Sequence, residues 1–553
     1  MKSLPVRFVL ALSAFAACQQ APGSTPTGDP AGGLGTVSIA LRSEVNGVAY
    51  RLRDAAFAIT GPQTATLRSE DDPDAVVLSQ PLTAGMYTIA VGAGFRVEKA
   101  FPSGFQTVDA ELVSPNPRPF VIRAGGATQV VFSFRTAGGI IGIGAGRLDV
   151  VISVLDTSNL PGVNAISAGD QHTCVRIGAG TVRCWGLGSS GQLGYGNGVA
   201  IGDNETPASA GNVNVGGDVA QLAAGGFHTC ALLVDGRVRC WGNGLSGRLG
   251  YGNEMSIGDN ETPAAAGDVN VGGAVTQIAA GNSHTCALFA TGRVRCWGSG
   301  GDGRLGYANT TSVGDNETPA VAGDVDVGGT VVQIATGLSH TCALLADGHV
   351  RCWGNGLAGQ LGYGNTTSVG DNEAPAVAGD VNVGGLAVKI VTGGSHTCAL
   401  LDTGNVRCWG AAGSGRLGYG NVNNIGDNEP PASAGDIDVG GRVVDLSAGA
   451  VDTCALLDTG RVRCWGAGTM GRLGYGNINS IGDNETPASA GDIDLGVGAA
   501  IKLTTGSNHT CVLLETGAVR CWGMGMGGEL GYGNTNTIGD NETPASAGNV
   551  PVI

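Results

Sequence analysis

One stretch recurs seven times and limits what the rest of the chain can become. Its fourth copy, residues 339–365, reads SHTCALLADGHVRCWGNGLAGQLGYGN. The first cysteine of each copy falls at Cys174, Cys230, Cys286, Cys342, Cys398, Cys454 and Cys511, a step of 56 residues five times and then 57. A fixed period of this length marks a repeat architecture, in which each unit buries its apolar face only against its neighbours. Each unit opens with an alternating stretch such as residues 331–335, a strand pattern. Strands at 341–345 and 349–353 flank Ala346-Asp347-Gly348, where glycine supplies the positive φ of a three-residue hairpin loop. A fourth short strand is expected at 380–383. Helical periodicity is absent from the repeats. Four short strands in each of seven units predict an all-β fold, a seven-bladed β-propeller spanning residues 162–553.

The combined motif can be compared with known repeats. Gly-x-x-His-Thr-Cys-Ala-Leu, then Asp-Gly-x-Val-x-Cys-Trp-Gly, then Gly-x-Leu-Gly-Tyr-Gly-Asn resembles the regulator-of-chromosome-condensation repeat across all seven units. The resemblance implies a seven-bladed propeller of four-stranded blades. The cysteine pairs suit secreted bacterial members of that family rather than nuclear ones. Members that act as guanine-nucleotide exchange factors work through a projecting element, and the near-constant repeat length leaves no room for one. Secreted members also include a β-lactamase inhibitor, so inhibition of an exported enzyme is a second reading.

Composition sharpens the picture in two places. The 99 glycines recur in register with the repeat, which assigns them to tight turns rather than to disorder. The net charge of −16 argues against nucleic acid, whose phosphates demand a basic surface. Fourteen of the 46 acidic residues come from one recurring loop, Gly-Asp-Asn-Glu.

Before the repeats the chain changes character. In residues 1–18, Lys2 and Arg7 precede an apolar run too short to span a bilayer, which reads as a signal peptide. Phe15-Ala16-Ala17-Cys18 resembles a bacterial lipobox, with Cys18 as the lipidated first residue; ordinary cleavage after Ala16 is the alternative. Cys18 is the odd cysteine of the 15, which favours lipidation. Gln19 at the next position points to an outer-membrane lipoprotein of the cell envelope. Residues 19–35, rich in Pro, Gly, Thr and Ser, read as a flexible tether. Residues 36–155 read as a small antiparallel β-sandwich domain, with strands expected at 36–41, 50–59, 76–78, 86–91, 105–112, 120–123, 129–134 and 148–154, and with Gly125-Gly126 as a hairpin turn. Gly85-Met-Tyr87 resembles a strand of prealbumin-like sandwiches. With neither His nor Cys, this domain reads as a spacer or adhesion module. Residues 156–161 link it to the repeats.

The chemistry-bearing residues repeat with the scaffold. The cysteines pair as Cys-x9-Cys: Cys174 with Cys184, Cys230 with Cys240, Cys286 with Cys296, Cys342 with Cys352, Cys398 with Cys408, Cys454 with Cys464, and Cys511 with Cys521. A three-residue hairpin loop sets each pair face to face, at a Cα separation of about 4.5–5.5 Å, within disulfide range. An exported chain meets an oxidising compartment where such bonds persist. Zinc knuckles with Cys-x2-4-Cys spacing are absent. His172, His228, His284, His340, His396 and His509 stand two residues before the first cysteine, and Asp452 replaces the sixth. A residue repeated in every unit belongs to the scaffold, so a structural hydrogen bond is expected here rather than a ring of metal ligands. His349, in a turn, is expected to face water. Trp185, Trp241, Trp297, Trp353, Trp409, Trp465 and Trp522 follow the second cysteine and are expected to pack between blades rather than to form a sugar platform.

Two loops remain. The Gly-rich loop, as at residues 244–253, lacks the ending and following helix of a phosphate cradle. The Ile-Gly-Asp-Asn-Glu-Thr-Pro loop offers oxygen ligands, and Asp259, Glu261, Asp315 and Glu317 are the candidates for Ca²⁺; a side-chain-to-backbone turn is the plainer reading. Units differ most at residues 198–200, 254–256, 309–312 and 422–424, where partner contacts are expected.

Together these features predict a membrane-anchored, non-enzymatic scaffold with no cofactor. It is expected to be a monomer, to touch the membrane through its N-terminal lipid alone, and to bind a protein or glycan partner on a propeller face. Residues 549–553 copy the fourth strand and are expected to close the ring beside residues 163–168.

Overall fold

The computed structural model describes residues 162–553 without a break. It also describes residues 34–143 apart from 46–47, 72–76, 84, 93, 102–103, 109, 113–117, 123–126, 130–131 and 137–138. The signal peptide with Cys18, most of the tether, Gly125-Gly126, the strand expected at 148–154 and the linker 156–161 lie outside the described residues.

Each repeat folds as one three-stranded antiparallel sheet, and seven such sheets form a ring. In blade 4 the inner strand is Val331–Thr336, the middle strand His340–Leu345 and the outer strand Val350–Gly354. Inner strands of successive blades neighbour one another around the central axis, and blade 1 (Val163–Ala168) meets blade 7 (Ala500–Thr505) as any other pair does. The middle-to-outer hairpin closes on Ala346-Asp347-Gly348: Leu345 N–H donates to His349 O at 2.8 Å, Gly348 N–H donates to Leu345 O at 2.9 Å, and Gly348 has φ +83°. Only glycine takes that conformation without strain. The turn fixes the register, so Cys342 lies opposite Cys352 and Thr341 opposite Trp353.

The fourth strand expected at 380–383 is instead a single bridge, with Val381 N–H donating to Val350 O at 2.8 Å. A ladder cannot continue there because Val383 N–H turns back to Val381 O, at 2.9 Å. The outer edge is clasped by a side chain: Arg351 donates to Asp380 Oδ1 at 2.7 Å and to Val327 O of the preceding blade at 2.6 Å. The repeats also contain short helices, Pro375–Ala378 in blade 4, entered through the proline. A single turn is too short to leave a 3.6-residue period in the sequence.

The C-terminal segment corrects a second expectation. Val550 N–H donates to Val519 O in blade 7 at 2.8 Å, and Ala208 of blade 1 donates to Pro551 O at 3.1 Å. The tail therefore lies on the outer side of blades 7 and 1, where Ala264 N–H makes the matching bond to Asn214 O at 3.1 Å one blade on. Residues 163–168 are joined by the inner strand of blade 7, with Ala168 N–H donating to Thr504 Oγ1 at 3.0 Å. The closing junction carries the same inner-strand adjacency as the others and the same outer-loop bond as the blade 1–2 junction.

The described part of the N-terminal domain is β throughout. Its two four-stranded sheets run in the orders Arg118–Ile122, Gly85–Val91, Ala56–Thr60, Ala65–Arg68 and Arg42–Val45, Val48–Arg53, Arg96–Phe101, Gly104–Val108. Val37, Ile39, Phe57, Ile59, Tyr87 and Ile89 are buried in its core. The first strand, Leu34–Ala40, begins inside the stretch read as tether and pairs in parallel with Ala127–Gln129, the other pairings among the described strands of this domain being antiparallel. The strand expected at 50–59 is broken by Asp54 at φ +53°. The strands Ala65–Arg68, Arg96–Phe101 and Gly139–Ile143 were not legible as alternating runs.

Candidate binding face and central channel

The repeated histidines are bonds between blades. His340 Nε2 lies 2.9 Å from Thr397 Oγ1 of the next blade, and His172, His228, His284, His396 and His509 meet Thr229, Thr285, Thr341, Thr453 and Thr173 at 2.8 Å. Each of these threonines also bonds a backbone carbonyl of the preceding blade; Thr397 Oγ1 donates to Gln360 O at 2.9 Å. A hydroxyl has one proton. With that proton on the carbonyl, the histidine must donate from Nε2, which leaves it neutral with Nδ1 bare. The buried Nδ1 atoms indeed have no hydrogen-bond partner. Burial, with Arg304 nearby, pushes His340 down to about 4, and burial pushes His509 down to about 4. Asp452 breaks the series. It is buried, and neither carboxylate oxygen has a hydrogen-bond partner. Burial raises its pKa to about 7, opposed by Arg472 and Arg416.

The other repeated residues are also scaffold. The facing cysteines form seven disulfides, each inside one blade and fully buried. All seven tryptophans are fully buried, each against a glycine of the preceding blade; a Cβ on Gly362 would stand 2.8 Å from Trp409 Nε1. No sugar can stack on them. Tyrosine, which the sequence reading passed over, carries a hub in each blade: Tyr363 Oη donates toward Cys352 O at 3.0 Å and Gly379 O at 3.3 Å and accepts from Cys352 N–H at 3.1 Å. Burial pushes Tyr363 up to about 12. His349 is half exposed in its turn, 3.1 Å from Asp347.

The Gly-rich loops and the Asp-Asn-Glu loops interlock around one face. Gly247 of blade 2 packs so tightly on the next blade that a Cβ would stand 2.2 Å from Asp315 N, and Gly528 of blade 7 packs likewise on Asp203 of blade 1. Asp259, Glu261, Asp315 and Glu317 are thus partly buried members of a loop circuit. Among the described residues no three His, Cys, Asp or Glu side chains converge on a common metal position.

The variable tips sit on these loops. Gly244 lies under Met255, Gly468 under Asn479, and Ser246 N–H donates to Glu254 Oε1 at 2.7 Å. Arg304 and Arg472 reach from the same loops to Leu338 O and Ser507 O at the channel mouth. Loops, tips and this mouth therefore share one face. It exposes Leu245, Met255, Leu357, Ile478 and Met526, all more than half open to solvent. At the mouth, Asp170 accepts from Ser507 Oγ at 2.6 Å and Asn282 Nδ2 at 3.0 Å, tying blades 1, 7 and 3 together.

Comparison with known proteins follows this geometry. A profile of the RCC1-like domain matches residues 182–550, and one of the regulator of chromosome condensation (RCC1) repeat matches residues 163–192. The chain belongs to the RCC1-like domain family. The ultraviolet-B receptor UVR8 of Arabidopsis thaliana is 30% identical over 374 residues, 67% of this chain and 79% of that protein. The human E3 ubiquitin-protein ligase HERC2 is 30% identical over 372 residues, 67% of this chain but 7% of HERC2. Yeast RCC1 (Prp20), solved bound to Kap60, superposes with a TM-score of 0.52 at 20% identity, covering 72% of this chain and 90% of that one. Prp20p of Saccharomyces cerevisiae, whose solved structure was described with its binding to Gsp1p and histones, gives 0.51 at 21% identity over 69% and 87% of the two chains. These superpositions establish the propeller fold of the RCC1-like domain.

Proposed function

We propose that this RCC1-like chain is an exported scaffold, held at the cell envelope by lipid on Cys18, whose loop face binds a protein partner and performs no catalysis. One observation carries the reading: the Gly-rich loops and the tips over them place Leu245, Met255, Leu357, Ile478 and Met526 in solvent on a single face. Exposed apolar side chains grouped on one surface mark interaction sites. Methionine adapts to the partner's contours. A protein is favoured over a glycan because every tryptophan is buried in the blades. The solved relative Prp20 was captured with a protein bound, which supports a protein partner for this chain as well. The apolar run of residues 8–17, followed by the unpaired Cys18, supports export and anchoring, and the sandwich domain then serves as a spacer.

The test has two arms. Capture from the native envelope is carried out with the full chain and with a Leu357→Ser, Met526→Ser, Met255→Ser variant. One stoichiometric protein retained by the first and lost by the second supports the reading; equal retention overturns it. An exported enzyme losing activity when captured would make the chain an inhibitor. In the second arm, intact-mass analysis of envelope material should show a lipid-modified N-terminal Cys18, and an unmodified thiol there removes the anchor.

A further inference from the structure

Every blade carries an asparagine at the end of its Gly-rich loop: Asn197, Asn253, Asn309, Asn365, Asn421, Asn477 and Asn534. All seven make the same turn, in which Oδ1 accepts the backbone N–H two residues on, at 2.8 to 2.9 Å. In blades 2 to 7 the rest of the amide is also committed. Nδ2 donates to the carbonyl of the tyrosine two residues back, as Asn309 does to Tyr307 O at 3.0 Å and Asn421 to Tyr419 O at 3.2 Å. The residue that follows is Glu254, Thr310, Thr366, Val422, Ile478 or Thr535. Blade 1 departs on both counts. Asn197 Nδ2 bonds to no described residue, and the next residue is Gly198.

The sequence holds four Asn-Gly pairs, at Asn46, Asn197, Asn243 and Asn355, of which Asn46 lies outside the described residues. The surroundings of Gly198 set it apart from Gly244 and Gly356. Those two are buried, and a Cβ on them would stand 2.1 Å from Met255 O and 2.2 Å from Thr367 O. Gly244 N–H also donates to Ser256 Oγ at 3.4 Å, and Asn355 Oδ1 takes a second bond from Gln360 Nε2 at 2.9 Å. Asn197, Gly198 and Val199 are all exposed. The atom nearest to a Cβ on Gly198 is 3.7 Å away, and Gly198 N–H donates to no described residue.

We infer that Asn197-Gly198 is a site of spontaneous deamidation that the fold singles out. Gly198 N attacks Asn197 Cγ and forms the N–Cγ bond of a five-membered imide. The Cγ–Nδ2 bond breaks, and ammonia leaves with the proton of the main-chain amide. Water then opens the ring. Addition at Cγ returns the main chain with aspartate at 197; addition at the main-chain carbonyl leaves isoaspartate, which lengthens the chain by one carbon. Attacking and attacked groups belong to one dipeptide, so the step carries no cost of encounter. Negative charge develops on Oδ1, where Val199 N–H already donates. Glycine lets the main chain rotate into the ring, and the free Nδ2 has no bond to surrender as it leaves. The other tips share the donor on Oδ1 but hold the leaving group and crowd the nitrogen with a side chain. Either product adds a negative charge to the blade 1 tip beside Val199. This chemistry does not depend on which partner the loop face binds.

Incubation of the full chain at pH 8 and 37 °C, followed by peptide mapping that separates aspartyl from isoaspartyl products, tests it. Asn197 should convert at least about tenfold faster than Asn243, Asn355 and the other tip asparagines. In urea after reduction of the disulfides, Asn197, Asn243 and Asn355 should convert at similar rates, because the fold no longer separates them. Gly198 lies outside the left-handed region and has room for a methyl group, so Gly198→Ala should melt with the wild type. The same variant should slow conversion of Asn197 by at least about tenfold. An unmodified Asn197, conversion of Asn243 or Asn355 at the same rate in the folded chain, the same selectivity in urea, or an unchanged rate in Gly198→Ala would each overturn the inference.

Discussion

Six blade junctions and the seventh are built differently, and the contrast shows what the repeated histidine does. Between blades 4 and 5, His340 donates to Thr397, which passes its own proton to Gln360 O, so a buried polar chain is satisfied at each link except the bare Nδ1. Between blades 6 and 7, Asp452 is too short to span the gap and leaves two orphaned oxygens, while Thr510 keeps its bond to Arg472 O at 3.2 Å. The backbone is unchanged: Asp452 pairs with Gly466 as His340 pairs with Gly354. The scaffold therefore tolerates loss of the link at one junction. Across that junction Trp522 Nε1 still donates to Arg472 O, at 2.9 Å.

The contrast can be broken or sharpened by experiment. The largest effect is on acidification. Six buried histidines are depressed well below their unfolded value, so the unfolded chain takes up more protons as the pH falls through 6.5 toward 4. Stability is fully present above about 6.5 and is lost below it. Asp452 acts with the opposite sign: its raised carboxyl favours the folded state when protonated, and this contribution is lost as the pH rises from about 4 to 7. Chemical denaturation from pH 8 to 4 should show a steep net loss, and the loss should be steeper in Asp452→Asn, which lacks the opposing group. A loss of equal slope in the two proteins would remove Asp452 from the balance.

Next in size is a truncation at an ordinary junction. His340→Ala leaves a cavity and removes the bond to Thr397, and should cost about 3 kcal/mol. Asp452→Ala should cost far less, since it removes only an unsatisfied carboxyl. Equal losses in urea titrations would mean that the two junctions do not differ. The disulfides supply a control. Replacing Cys398 and Cys408 by alanine, or Cys454 and Cys464, should cost about 2–3 kcal/mol in either blade, because each bond closes the same short loop. The smallest effect runs the other way: Asp452→His should restore the link to Thr510 and gain about 1–2 kcal/mol. A melting temperature no higher than that of the wild type would show that the seventh junction has no space for the ring.

Much of this was readable in the chain, for a definite reason. The hairpin loop length sets Cys342 opposite Cys352, and strand alternation sends Trp353 to the other side of the sheet, so local geometry alone places both. Expectations failed where a contact replaced a local rule. Residues 380–383 look like a strand, yet Arg351 and the turn at Val383 end the pairing after one bridge. Residues 549–553 look like a partner for the first inner strand, yet they sit on Arg183 and Ala208 at the outside of blade 1. In the N-terminal domain, Asp54 turns one alternating run into two strands, a break that period-two patterning does not report.

By itself the sequence determined the number of blades, the hairpin register and the identity of the buried aromatic layer, because each depends on residues only a few positions apart in a repeated unit. Only the tertiary structure decided what each buried polar group answers to. The histidines meet threonines 57 residues away or across the closing junction, and the glutamines meet backbone one blade on. A bond of that kind has no signature in either chain segment alone. It exists only once the ring has brought the third position of one inner strand beside its neighbour, which is also how Lys389 comes to pair with Asp445.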